Sequence, residues 1–204
     1  EMKEMASLGA KVMETRSVEI GHRFGVPIYV ASSTGNAPGT YIKEYDETME
    51  QRSITGLSIS ENVLMITLNH VPYTSANIAH VFTELAKAEV MVDMISQTSP
   101  IKGYANISFT TSTDDKATVD KILKALQAKF PEVEIQEESS ISKVSVVGMG
   151  MRTQSGVAAK IFELFAENGI DFKQVTTSEI SISYTIDSSF KLKIVDVITK
   201  AFDL

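Results

Sequence analysis

Two features of the sequence carry groups that could act on or bind a small molecule. Gly148 and Gly150 follow an apolar strand pattern and precede a helical one, the position of a phosphate-binding loop. A dinucleotide-binding loop would need a third glycine, but Thr153 occupies that place. Asp93 interrupts the apolar run 91–95, where burial of its carboxylate would be costly without a cation or a hydrogen-bond donor. The glycines therefore indicate a tight strand-to-helix connection. Asp93 is either a partner for a ligand ammonium group or a solvated edge residue paired with Lys or Arg.

Other reactive groups are absent or badly spaced. The chain has no cysteine, which excludes disulfides, thiolate nucleophiles and cysteine metal sites. His22, His70 and His80 lie far apart and lack the spacing of metal ligands. No Walker-type loop and no set of Ser, His and Asp stands out. We therefore predict no catalytic residue, no metal site and no cofactor held by these residues.

Composition narrows the classes of partner. The formal charge of -7 and the pI of about 5.0 disfavour nucleic acid, whose binding depends on clustered Lys and Arg. No apolar run approaches the roughly 20 residues that span a bilayer. We expect a cytoplasmic protein that binds neither nucleic acid nor membrane. Because Glu1 is not an initiator Met and residues 2–12 are not a signal peptide, we also expect a portion of a longer protein.

The elements that must position any site occur in an internal repeat. Residues 63–110 resemble residues 143–186 in the order of their apolar positions. Strands are predicted from alternation and helices from apolar residues at i, i+3, i+4 and i+7. Thr113 is the predicted N-cap of the second helix. In the first copy we predict strand 64–68, helix 78–86, strands 91–96 and 105–110, helix 119–126 and strand 133–135.

The second copy lacks a closing strand. Its predicted elements are strand 144–146, helix 157–165, strands 172–177 and 180–186, and helix 192–202. A bare sheet edge favours association, so we predict that the extended segment 54–59 supplies the missing strand. The fold class is then α+β, with two ferredoxin-like (βαββαβ) units, the first (63–138) inserted into the second (52–60 plus 141–204). Residues 1–45 form a leader with a helix over 6–24 and a short strand over 27–31.

Several motifs together resemble one enzyme family. Ala6–Val12 and Thr15–Glu19 are similar to the end of the catalytic domain of aspartate kinases. The regulatory half of that family is matched in order and spacing by Val92–Gln97, Lys143–Gly148, Gly150–Arg152, Gly156–Lys160 and Thr177–Ser183. The resemblance covers essentially the whole chain.

The resemblance implies a fold and a role. Its two units would be ACT units, which pair between the subunits of a homodimer into side-by-side sheets and bind a feedback amino acid, lysine or also threonine. The complete enzyme would phosphorylate aspartate with ATP and Mg, the first step to lysine, threonine and methionine. This chain would keep only the tail of its own kinase domain, would regulate that domain as a partner, and would be inactive alone.

The resemblance also implies effector-binding residues between two subunits. A loop would offer backbone groups, Asp93 and Gln97 would contact the ammonium and polar atoms, and a second wall would come from the other unit. The loop is Tyr73, Thr74, Ser75, Ala76, Asn77 and Ile78, and the wall is Ser178, Glu179 and Ile182, with Asn168 and Asp171 as weaker candidates. The alternatives are that Ile182 is core, Asn168 a helix cap and Glu179 a solvated charge.

The sequence departs from the family pattern at this loop. Tyr73–Ala76 stands where Asp-Lys-Pro-Gly is common, so that a carboxylate and a glycine are lost. Thr153–Gly156 replaces the usual Ser-His-Pro-Gly, and Asn106 replaces a common Asp. Two alternatives therefore stay open: a dimerisation scaffold, or a separate regulatory subunit, that binds no effector.

Overall fold

Six helices and eight strands make up the part of the chain that the computed structural model describes, residues 1–44 and 52–204. Residue 45, the last of the predicted leader, lies outside the described residues. The helices are Met2–Ser7 (α1), Thr15–Arg23 (α2), Ser75–Lys87 (α3), Lys116–Lys129 (α4), Val157–Glu167 (α5) and Lys191–Phe202 (α6). The strands are Ile28–Val30 (β1), Thr40–Ile42 (β2), Gly56–Pro72 (β3), Ile95–Gln97 (β4), Tyr104–Thr111 (β5), Glu134–Val147 (β6), Phe172–Thr177 (β7) and Ser181–Asp187 (β8).

One antiparallel sheet contains both repeats, with its strands in the order β4-β5-β3-β6-β8-β7. The 17-residue β3 and the 14-residue β6 run through both halves, pairing Leu68 with Ile135 at one end and Ile59 with Val144 at the other. Each half therefore has the strand order of a ferredoxin-like unit, and the predicted α+β class is confirmed. The segment before the first copy lies beside residues 143–147 of β6. We call the half with α3 and α4 the first unit and the half with α5 and α6 the second unit.

Each unit has its own apolar core between its half of the sheet and its two helices. In the first unit, Leu64, Ile66 and Leu68 of β3 alternate toward α3 and α4. In the second unit, Ile54 is buried among residues of β6, α5 and α6. Gly148 and Gly150 permit this, because a Cβ at Gly148 would lie 2.2 Å from the Ser53 carbonyl oxygen.

The helix-free face of the second unit is polar and yet buried. Ser183 and Thr185 alternate with core residues of β8, and Ser183 shares a 2.7 Å hydrogen bond with Ser145. The two outer strands of the sheet also meet, since the Gln174 side-chain amide of β7 donates to the Ser96 hydroxyl of β4 over 3.2 Å. Register shifts between residues 60 and 65 of β3 accompany this bend of the sheet. The helix-free faces of the two units are thus turned toward each other.

The leader covers the rest of that polar face. The Glu4 carboxylate accepts a 2.8 Å hydrogen bond from the Ser181 hydroxyl, and the Ser58 hydroxyl donates to the Leu8 carbonyl over 3.0 Å. Gly56 leaves room for Met5. The predicted single helix over 6–24 is wrong, because the chain turns between α1 and α2 at Gly9, whose φ of 108° belongs to the left-handed region.

Two further local predictions are wrong. The predicted strand 91–96 is reduced to the three residues of β4, because Asp93 and Met94 both bond to the single residue Thr110 of β5 and so interrupt the regular pairing. The Asp93 N–H donates to the Thr110 carbonyl, the Thr110 N–H donates to the Met94 carbonyl, and the Met94 N–H donates to the Thr110 hydroxyl. The predicted cap Thr113 lies inside a short 3-10 turn, and the Ser112 side chain caps that turn by accepting from the Asp114 N–H. The turn carries the chain into α4 at Lys116.

Candidate functional site

A cleft of about 440 Å³ opens beside the point where β3 crosses from one unit to the other. This volume lies in the range of small-molecule sites, about 300–1,000 Å³. Its walls combine one carboxylate and one ammonium with hydroxyl, amide and apolar groups. The lining residues are Ser7, Ser60, Asn62, Val63, Met91, Val92, Asp93, Thr110, Thr111, Ser112 and Lys143.

Asp93 and Lys143 form an ion pair across the cleft and join the two units. The two side chains differ sharply in burial, because that of Lys143 is 7% exposed and that of Asp93 is 54% exposed. Lys143 is on the helix-free face of β6, opposite Ser60 on one side and Thr185 on the other. The cation is thus inside and the anion at the rim, which agrees with the alternative that Asp93 pairs with a Lys or Arg.

Two adjacent threonines hold the segment that carries Asp93. The Thr111 hydroxyl donates to the Met91 carbonyl over 2.8 Å, and the Thr110 hydroxyl accepts from Met94 at 3.0 Å. The Asp93 backbone N–H donates to the Thr110 carbonyl at 2.9 Å. Sequence reasoning missed both threonines and Lys143. Two adjacent threonines at the end of a strand were the sequence signal that could have identified Thr110 and Thr111. No residue near Lys143 in the sequence indicates that its partner is Asp93.

The predicted loop 73–78 lies at the other end of the first unit. Thr74 caps α3 by accepting from the Asn77 N–H at 3.1 Å, and the Asn77 side chain donates to the Pro72 carbonyl at 2.9 Å. Gln97 ends β4 opposite Ile107, also away from Asp93. None of these loop residues, nor Gln97, lines the cleft. Within one chain they form no common site with Asp93, and their role between subunits stays a prediction.

The predicted second wall is spread along β7. Ser178 and Glu179 follow its last residue, and Asn168 and Asp171 precede its first, so about 20 Å of strand separates the two groups. Ile182 is a buried core residue. Glu179 is exposed and pairs with Arg152, and the Asn168 side chain donates to the Leu164 carbonyl at the end of α5. These local roles match the alternatives predicted for the three residues.

The electrostatic environment is simple. Residues 1–44 and 52–204 hold no group of three or more His, Asp or Glu side chains placed to bind a metal ion. Hydrogen bonding to the Lys191 ammonium lowers the pKa of the Glu61 carboxyl, which lies next to two cleft residues on β3.

Of the described helices, none has both the length and the apolar character to cross a membrane.

Known proteins resemble this chain over its whole length. Residues 144–202 match the family model of the ACT domain. The chain is 37% identical to the aspartokinase of Geobacillus stearothermophilus over all of its own length and 49% of that protein. A crystal structure of aspartokinase alpha and beta subunits is 35% identical, with a TM-score of 0.69, over 74% of this chain and 99% of that chain. The chain belongs to the aspartokinase family.

Its place within aspartokinase follows from the extent of the matches. It spans about half the length of the curated relatives that it matches, and the matched half contains the ACT region. Aspartokinase III of E. coli, solved in complex with lysine and aspartate, has the same fold at a TM-score of 0.74, with 98% of this chain and 44% of that chain covered. At 22% identity this last likeness shows the fold alone. The chain is the regulatory ACT region of an aspartokinase.

Proposed function

We propose that this region senses a feedback amino acid, lysine with threonine as the second candidate, and regulates the phosphorylation of aspartate by the full-length enzyme. The kinase would use ATP and Mg, held outside these residues. The observation that carries the proposal is the cleft, where a carboxylate and an ammonium lie between two units of an amino-acid-sensing fold. Lysine is the first candidate because the resemblance of the sequence motifs to the aspartate kinase family implies it.

Regulation requires that the effector distinguish two states of the enzyme. An effector shifts an equilibrium only by its difference in affinity for the two states. Here the first unit, the second unit and α1 all reach the cleft region, since Asp93, Lys143 and Ser7 line it together. A change in the spacing of the units would therefore be transmitted to α1, which leads toward the predicted kinase domain.

Pairing of two copies is part of the proposal. Large apolar side chains surround β4 and the β4–β5 hairpin and are exposed, namely Met91, Ile95, Ile101 and Tyr104. An exposed apolar patch beside a sheet edge favours association. The homodimer would bring ACT units of two chains side by side, and the predicted residues of loop 73–78 and of the second wall would then meet across the interface.

The rival is a dimerisation scaffold, or a separate regulatory subunit, that binds no effector. A specific observation favours it, because Lys143 already neutralises Asp93 within the chain. The altered loop at Tyr73–Ala76 points the same way.

Binding and inhibition distinguish these functions. We expect lysine to give saturable heat in isothermal titration of the full-length enzyme and to inhibit aspartate phosphorylation over the same concentrations. Asp93→Asn should lose both effects. The control is Asp196→Asn, the same change at an exposed residue of α6 that pairs with Lys200. Absence of heat and of inhibition with both lysine and threonine, while the protein remains dimeric, would establish the scaffold.

A further inference from the structure

We infer that the Asp93–Lys143 pair is a conformational switch at the joint, by which we mean the contact between the helix-free faces of the two units. The buried Lys143 ammonium keeps these faces together only while the Asp93 carboxylate stays beside it. Withdrawal of that carboxylate would leave an unpaired charge inside the protein, and the joint would open to let water reach Lys143. This inference goes beyond the proposed function, because it does not depend on which effector binds or on whether one binds.

The two partners of the pair belong to different units. The Asp93 backbone N–H donates to the Thr110 carbonyl at 2.9 Å, which fixes Asp93 to β5 of the first unit. Lys143 lies in the part of β6 that pairs with β8 of the second unit, opposite Thr185. A rotation of one unit against the other would therefore separate the carboxylate from the ammonium.

Polar contacts form much of the joint. The Gln174 side-chain amide donates to the Ser96 hydroxyl, while the Gln174 Oε1 atom has no partner among residues 1–44 and 52–204. The apolar part of the joint is a small cluster of Val63, Met65 and Ile141. Polar interfaces between parts of one chain commonly allow relative motion. The pairing of β3 with β6 is interrupted between residues 60 and 65, which gives the joint a point about which it can open.

The unequal burial of the pair gives its two members opposite roles. The Lys143 side chain is 7% exposed, and the described part of the chain offers its ammonium no acceptor besides Asp93. A buried charge that loses its partner strongly destabilises the state that buries it. Asp93 is 54% exposed, so water can solvate its carboxylate when Lys143 is absent. Loss of Asp93 therefore favours the open joint, whereas loss of the Lys143 charge favours the closed one.

The neighbours of Lys143 make the closed joint stable without the charge. Ile141 and Lys143 are two positions apart on β6, so their side chains point to the same face of the sheet. Ile141 packs there against Val63 and Met65. An apolar side chain at position 143 would extend this cluster. Lys143→Met should therefore keep the joint closed whether or not Asp93 is present.

Oxidation of Met65 by hydrogen peroxide, followed in the full-length enzyme by peptide mass spectrometry, measures opening of the joint. Met65 is 5% exposed, and its sulfur lies 3.8 Å from the Thr185 hydroxyl oxygen across the joint. We expect Asp93→Ala to raise the rate of Met65 oxidation about tenfold to a hundredfold over the wild type. Lys143→Met should leave the rate unchanged or lower it. The double variant Asp93→Ala/Lys143→Met should behave like Lys143→Met.

The matched control is Asp196→Ala, the same change in the exposed pair with Lys200, which should leave Met65 oxidation at the wild-type rate. Equal acceleration by Asp93→Ala and Lys143→Met would show that the pair only holds the units together by attraction, and the switch would be overturned. An unchanged rate in Asp93→Ala would overturn it as well. A folding defect caused by the loss of Asp93 cannot imitate the expected result, because adding Lys143→Met would not repair it; a double variant as fast as Asp93→Ala therefore also refutes the inference.

Discussion

Tyr184 lies at the centre of the second unit with a hydroxyl that has no hydrogen-bond partner among residues 1–44 and 52–204. The residue is 0% exposed, and its ring packs against Phe162, Phe165 and Phe172. An unsatisfied buried polar group costs about 1–3 kcal/mol. Tyr184→Phe removes the hydroxyl and keeps the ring contacts. We therefore expect the free energy of unfolding to rise by about 1–3 kcal/mol, opposite to the usual sign for a core substitution.

The pH dependence provides a second measure. Burial raises the pKa of the Tyr184 phenol far above its ordinary value. Above about pH 10 the unfolded chain loses this proton and the folded chain keeps it, so wild-type stability falls as pH rises. The difference between Tyr184→Phe and the wild type should therefore widen by about 1.4 kcal/mol between pH 9 and pH 11.

Urea unfolding followed by circular dichroism measures both quantities. The matched control is Tyr41→Phe, at an exposed ring of the leader, which should change stability by less than about 0.5 kcal/mol and show no such pH dependence. A loss of stability in Tyr184→Phe would show that the hydroxyl is hydrogen-bonded. A difference that stays constant with pH would show that the phenol has the same pKa in the folded and unfolded chains. Either result would refute the reasoning.

Three further substitutions test the packing that positions the site, each measured by the same unfolding assay. Gly148→Ala should lower stability by about 1–3 kcal/mol, because its Cβ would strike the Ser53 carbonyl; a neutral result would mean that the segment can move away freely. Thr74→Ala should lower stability by about 1 kcal/mol through loss of the cap to Asn77, and Thr74→Ser should keep most of that stability. An unchanged stability in Thr74→Ala would mean that the cap does not stabilise α3. Phe109→Ala should cost about 3–5 kcal/mol, since the ring is 0% exposed in the first core; a loss below 1 kcal/mol would contradict that core.

The sequence predicted the parts of the fold that depend on local periodicity. Alternation at Leu64, Ile66 and Leu68 and the helical stripes of both copies follow from the side chains alone, because each unit buries its own face. The missing strand of the second copy followed from a physical requirement, that a sheet edge be covered. These features need no knowledge of distant contacts.

The rest depends on contacts that leave no local trace. The apolar alternation of a strand ends at the same residues whether the extended backbone stops there or continues. The sequence therefore did not show that β3 and β6 run unbroken through both units. The candidate site was harder still. Asp93 was identified because a charge stood in an apolar run, but Lys143 lies 50 positions away in a strand whose polar face normally meets solvent. Only the bend of the sheet turns that face inward.

The shared strands also determine the order in which the chain can fold. Ile59 and Val144 are strand partners although they are 85 positions apart. Closing a loop of that length in the unfolded chain costs about 4 kcal/mol in entropy. Once the first unit has formed, Val63 and Ile141 are already paired, and only a few residues remain to be joined on either side. The first unit should therefore fold first and act as the template for the second. During synthesis, the segment 56–60 leaves the ribosome before residues 143–147. It must therefore remain without a strand partner until those residues have also been synthesised.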